Sequence, residues 1–377
     1  MLIILIVLMV SDVSSAASES KIRITQVEAN LPDITLFVQL ENINMDRAKL
    51  KKNLSIKINN TPTQITDIQS VKKGSGVPEN TAYLVLVDTS VSMRNQLSEL
   101  QILLEELLGF STAKDTTAVF GVSNSLQTIK DFVETDALET VIKSTGNAIS
   151  SGSKTGTYLY SGIREAYDEG RTAPDIPARR IIVLITDGGV DGDCLSRDEL
   201  KNYLDVDRLP VYTLILNQQA SVDEEFKDAA DQIAQKTGGQ SFISTRGNEL
   251  FDQFKASMEK GSVIRLRCDS FKAFNLQADL NLSMAGDQGE IKETAKFTAT
   301  PAPKDMDGVN NQQNLKTSYY GVAVILIPMI LSLFITLAAV WLLMNRSTQP
   351  GLTPDSTCQI EKGELTNSKV DESRESE

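Results

Sequence analysis

Two carboxylates and three hydroxyls stand out in this sequence because each falls at the end of an apolar run or at the start of a helical pattern. Asp88, Ser90 and Ser92 follow the run 83–87 as Asp-Thr-Ser-Val-Ser; Thr157 lies in Gly-Thr-Tyr-Leu before a helical stretch; and Asp187 lies in Thr-Asp-Gly-Gly after the most apolar run, 180–186. All five side chains offer hard oxygen donors. A cation such as Mg2+ takes near-octahedral oxygen ligands at about 2.0–2.1 Å, keeps water readily and needs few carboxylates. The three hydroxyls with one or both carboxylates therefore suit Mg2+ or Mn2+ and leave at least one position open. A cation carrying so little protein charge stays electrophilic and attracts an outside carboxylate. Each piece alone has a plainer use: Asp88, Ser90 and Thr157 as helix caps, and residues 186–189 as a turn with glycines for an abrupt reversal. A metal site requires that they share one edge of one sheet.

The surrounding pattern supplies such a sheet. Strand signals at 83–87, 118–123, 126–129, 180–186, 211–216 and 241–244 alternate with helical stretches near 91–110, 137–143, 158–168, 197–204, 224–235 and 249–258. The first helix carries an apolar stripe at Leu97, Leu100, Leu104, Leu107 and Leu108. This alternation predicts an α/β domain over 80–262, doubly wound around a mostly parallel, Rossmann-like sheet. In such sheets ligands bind beyond the carboxyl ends of the strands, where Asp88 and Asp187 fall. Period-two alternation at 21–27, 34–40 and 54–58, and again at 263–268, 276–283 and 291–297, predicts small β-sandwich-like modules at 18–79 and 263–300. Whether the two share a sheet is open at this point.

The ends of the chain belong to a membrane route. Residues 1–10 are apolar but too short to span a bilayer, and Ser-Ser-Ala-Ala follows, so 1–17 reads as a signal peptide, although the first basic residue is Lys21. Residues 321–344 carry no charge and reach about 36 Å as a helix, enough to cross a hydrocarbon core of about 30 Å. Tyr319, Tyr320 and Trp341 suit the interfaces, which places one C-terminal transmembrane helix at 319–345. A polar stalk at 301–318 and a disordered cytoplasmic tail at 346–377 flank it. The expected location is the cell membrane as a single-pass type I protein, with the α/β domain extracellular or periplasmic.

Composition excludes other functions. With no histidine, Ser-His-Asp and Cys-His nucleophile systems and the commonest zinc ligand are absent. A net charge of −13 repels nucleic acid and anionic lipid. Gly152-Ser-Lys154-Thr155 lacks the spacing of a phosphate loop, so no nucleotide is expected. Asp191-Gly-Asp193 could adjust the rim of the site or hold a second cation, with an ordinary solvated loop as the plainer reading. Cys194 and Cys268 would share an oxidising space, and a bridge between them stays open.

Asp88-x-Ser90-x-Ser92, the later Thr157 and Thr186-Asp187-Gly188, in that order, resemble the metal-ion-dependent adhesion site of von Willebrand factor A domains. The resemblance covers about 80–262 and fills all five motif positions. With β-modules on either side and a membrane span behind, the whole looks like bacterial membrane-anchored proteins of that type. It implies a metal held by Asp88, Ser90, Ser92, Thr157 and Asp187 that bridges to an Asp or Glu of a protein partner, and no catalysis. The expected function is a membrane-anchored, divalent-metal-dependent protein-binding or adhesion receptor. The second reading is a structural or assembly subunit of a cell-envelope or membrane complex.

Overall fold

In the computed structural model, residues 20–43, 45–70, 80–132, 138–151, 157–190, 193, 195–217, 224–269, 276–286 and 289–301 are described. The chain opens with β1 (Lys21–Leu31), β2 (Asp33–Glu41), α1 (Arg47–Asn53), β3 (Leu54–Ile58), β4 (Thr61–Pro62) and β5 (Gln64–Ser70). The α/β region follows with β6 (Thr81–Asp88), a 3-10 helix (Val91–Gln96), α2 (Leu97–Phe110), β7 (Thr116–Val122), β8 (Leu126–Lys130), α3 (Leu138–Ser151), α4 (Leu159–Thr172) and β9 (Arg179–Thr186). It continues through α5 (Arg197–Tyr203), β10 (Val211–Leu216), α6 (Glu224–Thr237), β11 (Ser241–Ser244) and α7 (Gly247–Met258). Three strands close the described chain: β12 (Gly261–Arg267), β13 (Leu276–Gly286) and β14 (Gly289–Pro301).

The central sheet has the order β11-β10-β9-β6-β7-β8. All its pairings are parallel except β7 with β8, where the short connection 123–125 leaves room only for an antiparallel return. Helices cover both faces, so the middle strands are apolar throughout. Ala82, Leu84 and Leu86 of β6 join a core with Leu159, Ile163 and Tyr167 of α4. Tyr83, Val85 and Val87 point the other way, into a core with Leu100, Leu103 and Leu104 of α2 and Leu250 and Phe254 of α7. Strand order reverses between β6 and β9: from β6 the chain moves outward through β7 and β8, then crosses to β9 and outward through β10 and β11. That is the position where an open α/β sheet forms a crevice.

The strands before and after this region lie in one eight-stranded sheet, ordered β4-β3-β13-β14-β1-β2-β12-β5. Its two halves meet through β1 and β14 at Asn30↔Thr300 and Leu31↔Pro301. Both halves fill one core, which includes Ile22, Ile34 and Leu36 beside Ile56, Ile58, Leu280 and Phe297. The strands on either side of the α/β region thus combine into a single module. The expected helix at 91–110 begins as a 3-10 turn, and Pro301, expected in the stalk, closes β14.

This module is hydrogen-bonded to the strand-start end of the central sheet. At an irregularity in β1, the Gln26 amide donates to Ala178 O (2.6 Å) and accepts from Arg180 N (3.0 Å), completing backbone bonds at the start of β9. Gln39 Nε2 donates to Tyr212 Oη at 2.6 Å. Thr298 donates from N and Oγ1 to the Asp207 carboxylate, and Asp207 N donates to Lys296 O. These contacts leave the opposite edge, at the strand carboxyl ends, uncovered by the module. The expected signal (1–17), the rest of the stalk, the transmembrane helix (319–345) and the tail (346–377) lie outside the described residues. Among the described residues no helix is long and apolar enough to cross a membrane.

Candidate metal centre

Asp88 ends β6 and pairs in register with Val122 of β7, while Val87 pairs with Ile185 of β9. That register sets Asp88 beside Thr186 and puts Asp187 one residue beyond, at the reversal of strand order. The Asp88 carboxylate is 1% exposed. Its Oδ1 accepts from Ser90 N at 2.8 Å and its Oδ2 from Thr186 Oγ1 at 2.7 Å. The Thr186 hydroxyl, fully buried, also accepts from Gly188 N at 3.1 Å, so it couples the turn after β9 to the Asp88 side chain. Gly188 has φ +92°, a conformation glycine adopts without strain, which lets the chain turn sharply after Asp187.

Ser90 and Ser92 face one another, with Oγ atoms 2.9 Å apart. Ser90 occupies the cap position of the 3-10 helix, yet its side chain makes no capping bond. Its hydroxyl is therefore not engaged in the plainer role the sequence allowed. Ser92 is exposed, and its hydroxyl is close enough to the Asp187 carboxyl to oppose the rise that burial causes there. Asp88, Ser90 and Ser92 are thus joined through hydrogen bonds of 2.8 and 2.9 Å. Thr157 enters from the neighbouring strand: Tyr158 N donates to Ser123 O at 2.7 Å, just past β7, and Thr89 N donates to Val122 O at 2.8 Å. The Thr157 side chain is half-buried. It does not cap α4, whose cap position is Tyr158.

Electrostatics mark the site as short of positive charge. Burial pushes the Asp88 carboxyl up to about 6, the nearby Asp187 adds to the rise, and the hydrogen bonds from Ser90 and Thr186 oppose it. Burial also raises Asp187, opposed by the Ser92 hydroxyl. Among the described residues no basic side chain is a leading influence on either carboxylate. Buried carboxylates are normally paired with a cation or hydrogen-bonded throughout. Two carboxylates with three neutral hydroxyls make a donor set that fits a hard divalent ion and suits a soft one poorly. Among the described residues no three of His, Cys, Asp and Glu converge, in keeping with a hydroxyl-rich site.

Residues 83–190 match the von Willebrand factor type A domain. This segment ends three residues past Asp187 and contains all five candidate positions. Type A domains generally serve protein–protein interaction or adhesion and are typically not enzymes. No curated protein matches the sequence. Solved structures similar to the chain include an aerotolerance-related membrane protein from Bacteroides fragilis (16% identity, 48% of this chain and 100% of that one, TM-score 0.36). A von Willebrand factor type A protein from Catenulispora acidiphila is 10% identical over 76% of this chain and 74% of its own, with TM-score 0.38. A proximal thread matrix protein from the mussel byssus, with zinc in its metal-ion-dependent adhesion site, is 18% identical over 48% of each chain, with TM-score 0.35. Likeness at this level carries nothing about ligand or partner.

Two residues with a part in this geometry lie outside the five candidate ligands. Thr186 was quoted only as part of a turn, and its role depends on the parallel register of β6 and β9. For Asp193 the sequence offers adjustment of the site's rim or a second cation, with a solvated loop as the plainer reading. Its carboxylate instead accepts hydrogen bonds from the first turn of α4: Tyr160 N at 2.8 Å, Ser161 N at 3.1 Å and Ser161 Oγ at 2.6 Å. The partners lie 32 and 33 residues upstream, beyond any local pattern.

Proposed function

We propose that this chain is a membrane-anchored, divalent-metal-dependent protein-binding or adhesion receptor. In this reading Asp88, Ser90, Ser92, Thr157 and Asp187 hold Mg2+ or Mn2+, and an Asp or Glu of a protein partner completes the coordination. The observation that carries it is the placing of a buried and a half-buried carboxylate, both raised in pKa, with serine hydroxyls not engaged in capping, at the reversal of strand order. When bound, the ion would supply a Lewis-acidic position for an outside carboxylate. The protein residues orient the donors: Thr186 and Ser90 N fix Asp88, and the Ser90 and Ser92 hydroxyls hold one another. The β-module docks at the far end of the sheet, which leaves the candidate edge open to a partner. The single-pass anchor, with the type A domain outside the cytoplasm, rests on the signal-like start and the uncharged run at 321–344.

Isothermal titration of the chain with Mg2+ and Mn2+, beside Asp88→Ala and Asp187→Ala, tests the metal assignment. One ion bound per chain, lost in both variants, is the expected result. An unaltered isotherm in the variants, or none in the folded parent, would refute it. Partner binding that is insensitive to chelator would favour the assembly-subunit reading.

A further inference from the structure

We propose that Asp193 is a positioning residue for this metal site, an inference that rests on the reading above. The site is assembled from loops that nothing in the sequence holds together: Asp187 leaves β9, while Thr157 precedes α4. Asp193 lies in the loop that begins at Asp187 and clamps it to α4. Its Oδ2 accepts from Tyr160 N and Ser161 N, and its Oδ1 from Ser161 Oγ and Leu195 N (3.0 Å). Helix α4 has no cap of its own, so these bonds satisfy two of its free first-turn N–H groups. The loop's other end is fixed as well, because Ser196 and Glu199 form a reciprocal capping box on α5. Asp193, six residues after Asp187, is therefore tied to the helix turn that begins two residues after Thr157.

Charge gives Asp193 a second effect. Helix α4 runs against the strands: Arg180 Nη1 at the start of β9 donates to Gly170 O near its end (2.6 Å), while Tyr158 N is held at the far end of β7. Its N-terminus, equivalent to roughly half a positive charge, is thus at the metal-binding edge, where it would oppose a cation. The Asp193 carboxylate offsets that charge without entering the donor set. Removing it would loosen the spacing and restore the opposing field.

The test is Mg2+ and Mn2+ titration of the chain as parent, Asp193→Ala and Asp193→Asn, with thermal midpoints recorded in chelator. Groups that orient metal ligands from outside typically change affinity by about 10–100-fold. Asp193→Ala should weaken Kd within that range while one ion still binds. Asp193→Asn, which keeps one acceptor oxygen and loses the charge, should fall between Asp193→Ala and the parent. A plain helix cap would lower the midpoint and leave Kd unchanged, and that result would overturn the inference while the metal site stood. A parent that binds no ion would overturn both. Should Asp193→Ala fail to fold, Asp193→Asn decides: weaker binding supports the positioning role, and parental Kd overturns it.

Discussion

Asp88→Asn should stabilise the metal-free protein while abolishing its metal binding. Asp88 is buried, and its carboxyl rises from the ordinary 3.8 to about 6 mainly through desolvation. At about 1.4 kcal/mol per pH unit, holding it ionised in the fold at pH 7.5 costs up to ~3 kcal/mol relative to the unfolded chain. Asparagine has nearly the same shape and no charge. Its carbonyl can keep the bond from Ser90 N, but its NH2 group cannot accept the Thr186 hydroxyl, a loss of about 1 kcal/mol. The balance is a gain of ~2 kcal/mol, or ~4–8 °C at roughly 2–4 °C per kcal/mol for a body of this size. The pH dependence has a definite sign. Because the folded carboxyl is raised above its unfolded value, its favourable contribution is complete below about pH 4 and is lost as pH rises through about 6. The advantage of Asp88→Asn should therefore be full at pH 7.5 and gone by about pH 4. Thermal or urea unfolding in chelator at pH 4, 5, 6 and 7.5 measures it. A variant no more stable than the parent at pH 7.5, or an advantage that does not shrink in acid, would refute the assignment of an unpaired buried charge.

Metal affinity should follow the same titration in the opposite sense, since protons compete for the ligand: with a carboxyl at about 6, the ionised fraction of Asp88 falls about tenfold between pH 7 and pH 5. The upward displacement of Asp187 steepens the loss, and titration calorimetry giving a flat profile from pH 5 to 7 would contradict it. Ser92→Ala removes an exposed hydroxyl, so stability should stay within ~0.5 kcal/mol while metal affinity drops by about tenfold or more. Equal affinity would remove Ser92 from the donor set. Gly162→Ala sets a new methyl 2.7 and 3.0 Å from the two Val122 methyl carbons, which should destabilise by ~1–3 kcal/mol and shift the start of α4. Unfolding of the double variant with Val122→Ala, in which those methyls are gone, should recover much of that loss.

What the sequence made legible follows from what packs on both sides. Residues 180–186 read as a buried strand because β9 is covered by helices on each face, leaving a continuous apolar run. Asp88 and Asp187 could be placed at strand ends for the same reason: a carboxylate terminating such a run has nowhere apolar to go. Elements with little buried surface were missed. α1 buries only Leu50, and β5, an edge strand, buries only Ile68, so neither has a period to read. The 3-10 turn at 91–96 keeps the same apolar spacing as a helix start and is invisible to periodicity. The single sheet shared by the strands before and after the α/β region rests on pairings such as Asn30 with Thr300, for which one sequence holds no signal.

The partners of the site's supporting groups were illegible for a related reason. Thr186 acts 98 residues from Asp88, and Asp193 acts 32 residues from Ser161, through a register and a loop path that only the fold defines. Both are polar groups whose hydrogen bonds add order at an edge where the principal carboxylate is costly to the fold. A protein optimised for stability alone would place an apolar residue or an asparagine at 88, as the first prediction implies. Two raised carboxylates, ordered by further polar groups and left without a dominant basic partner among the described residues, form an arrangement that an added positive charge would relieve, as the proposed function requires. A costly carboxylate kept at the end of an otherwise apolar strand is the kind of local conflict expected where function lies.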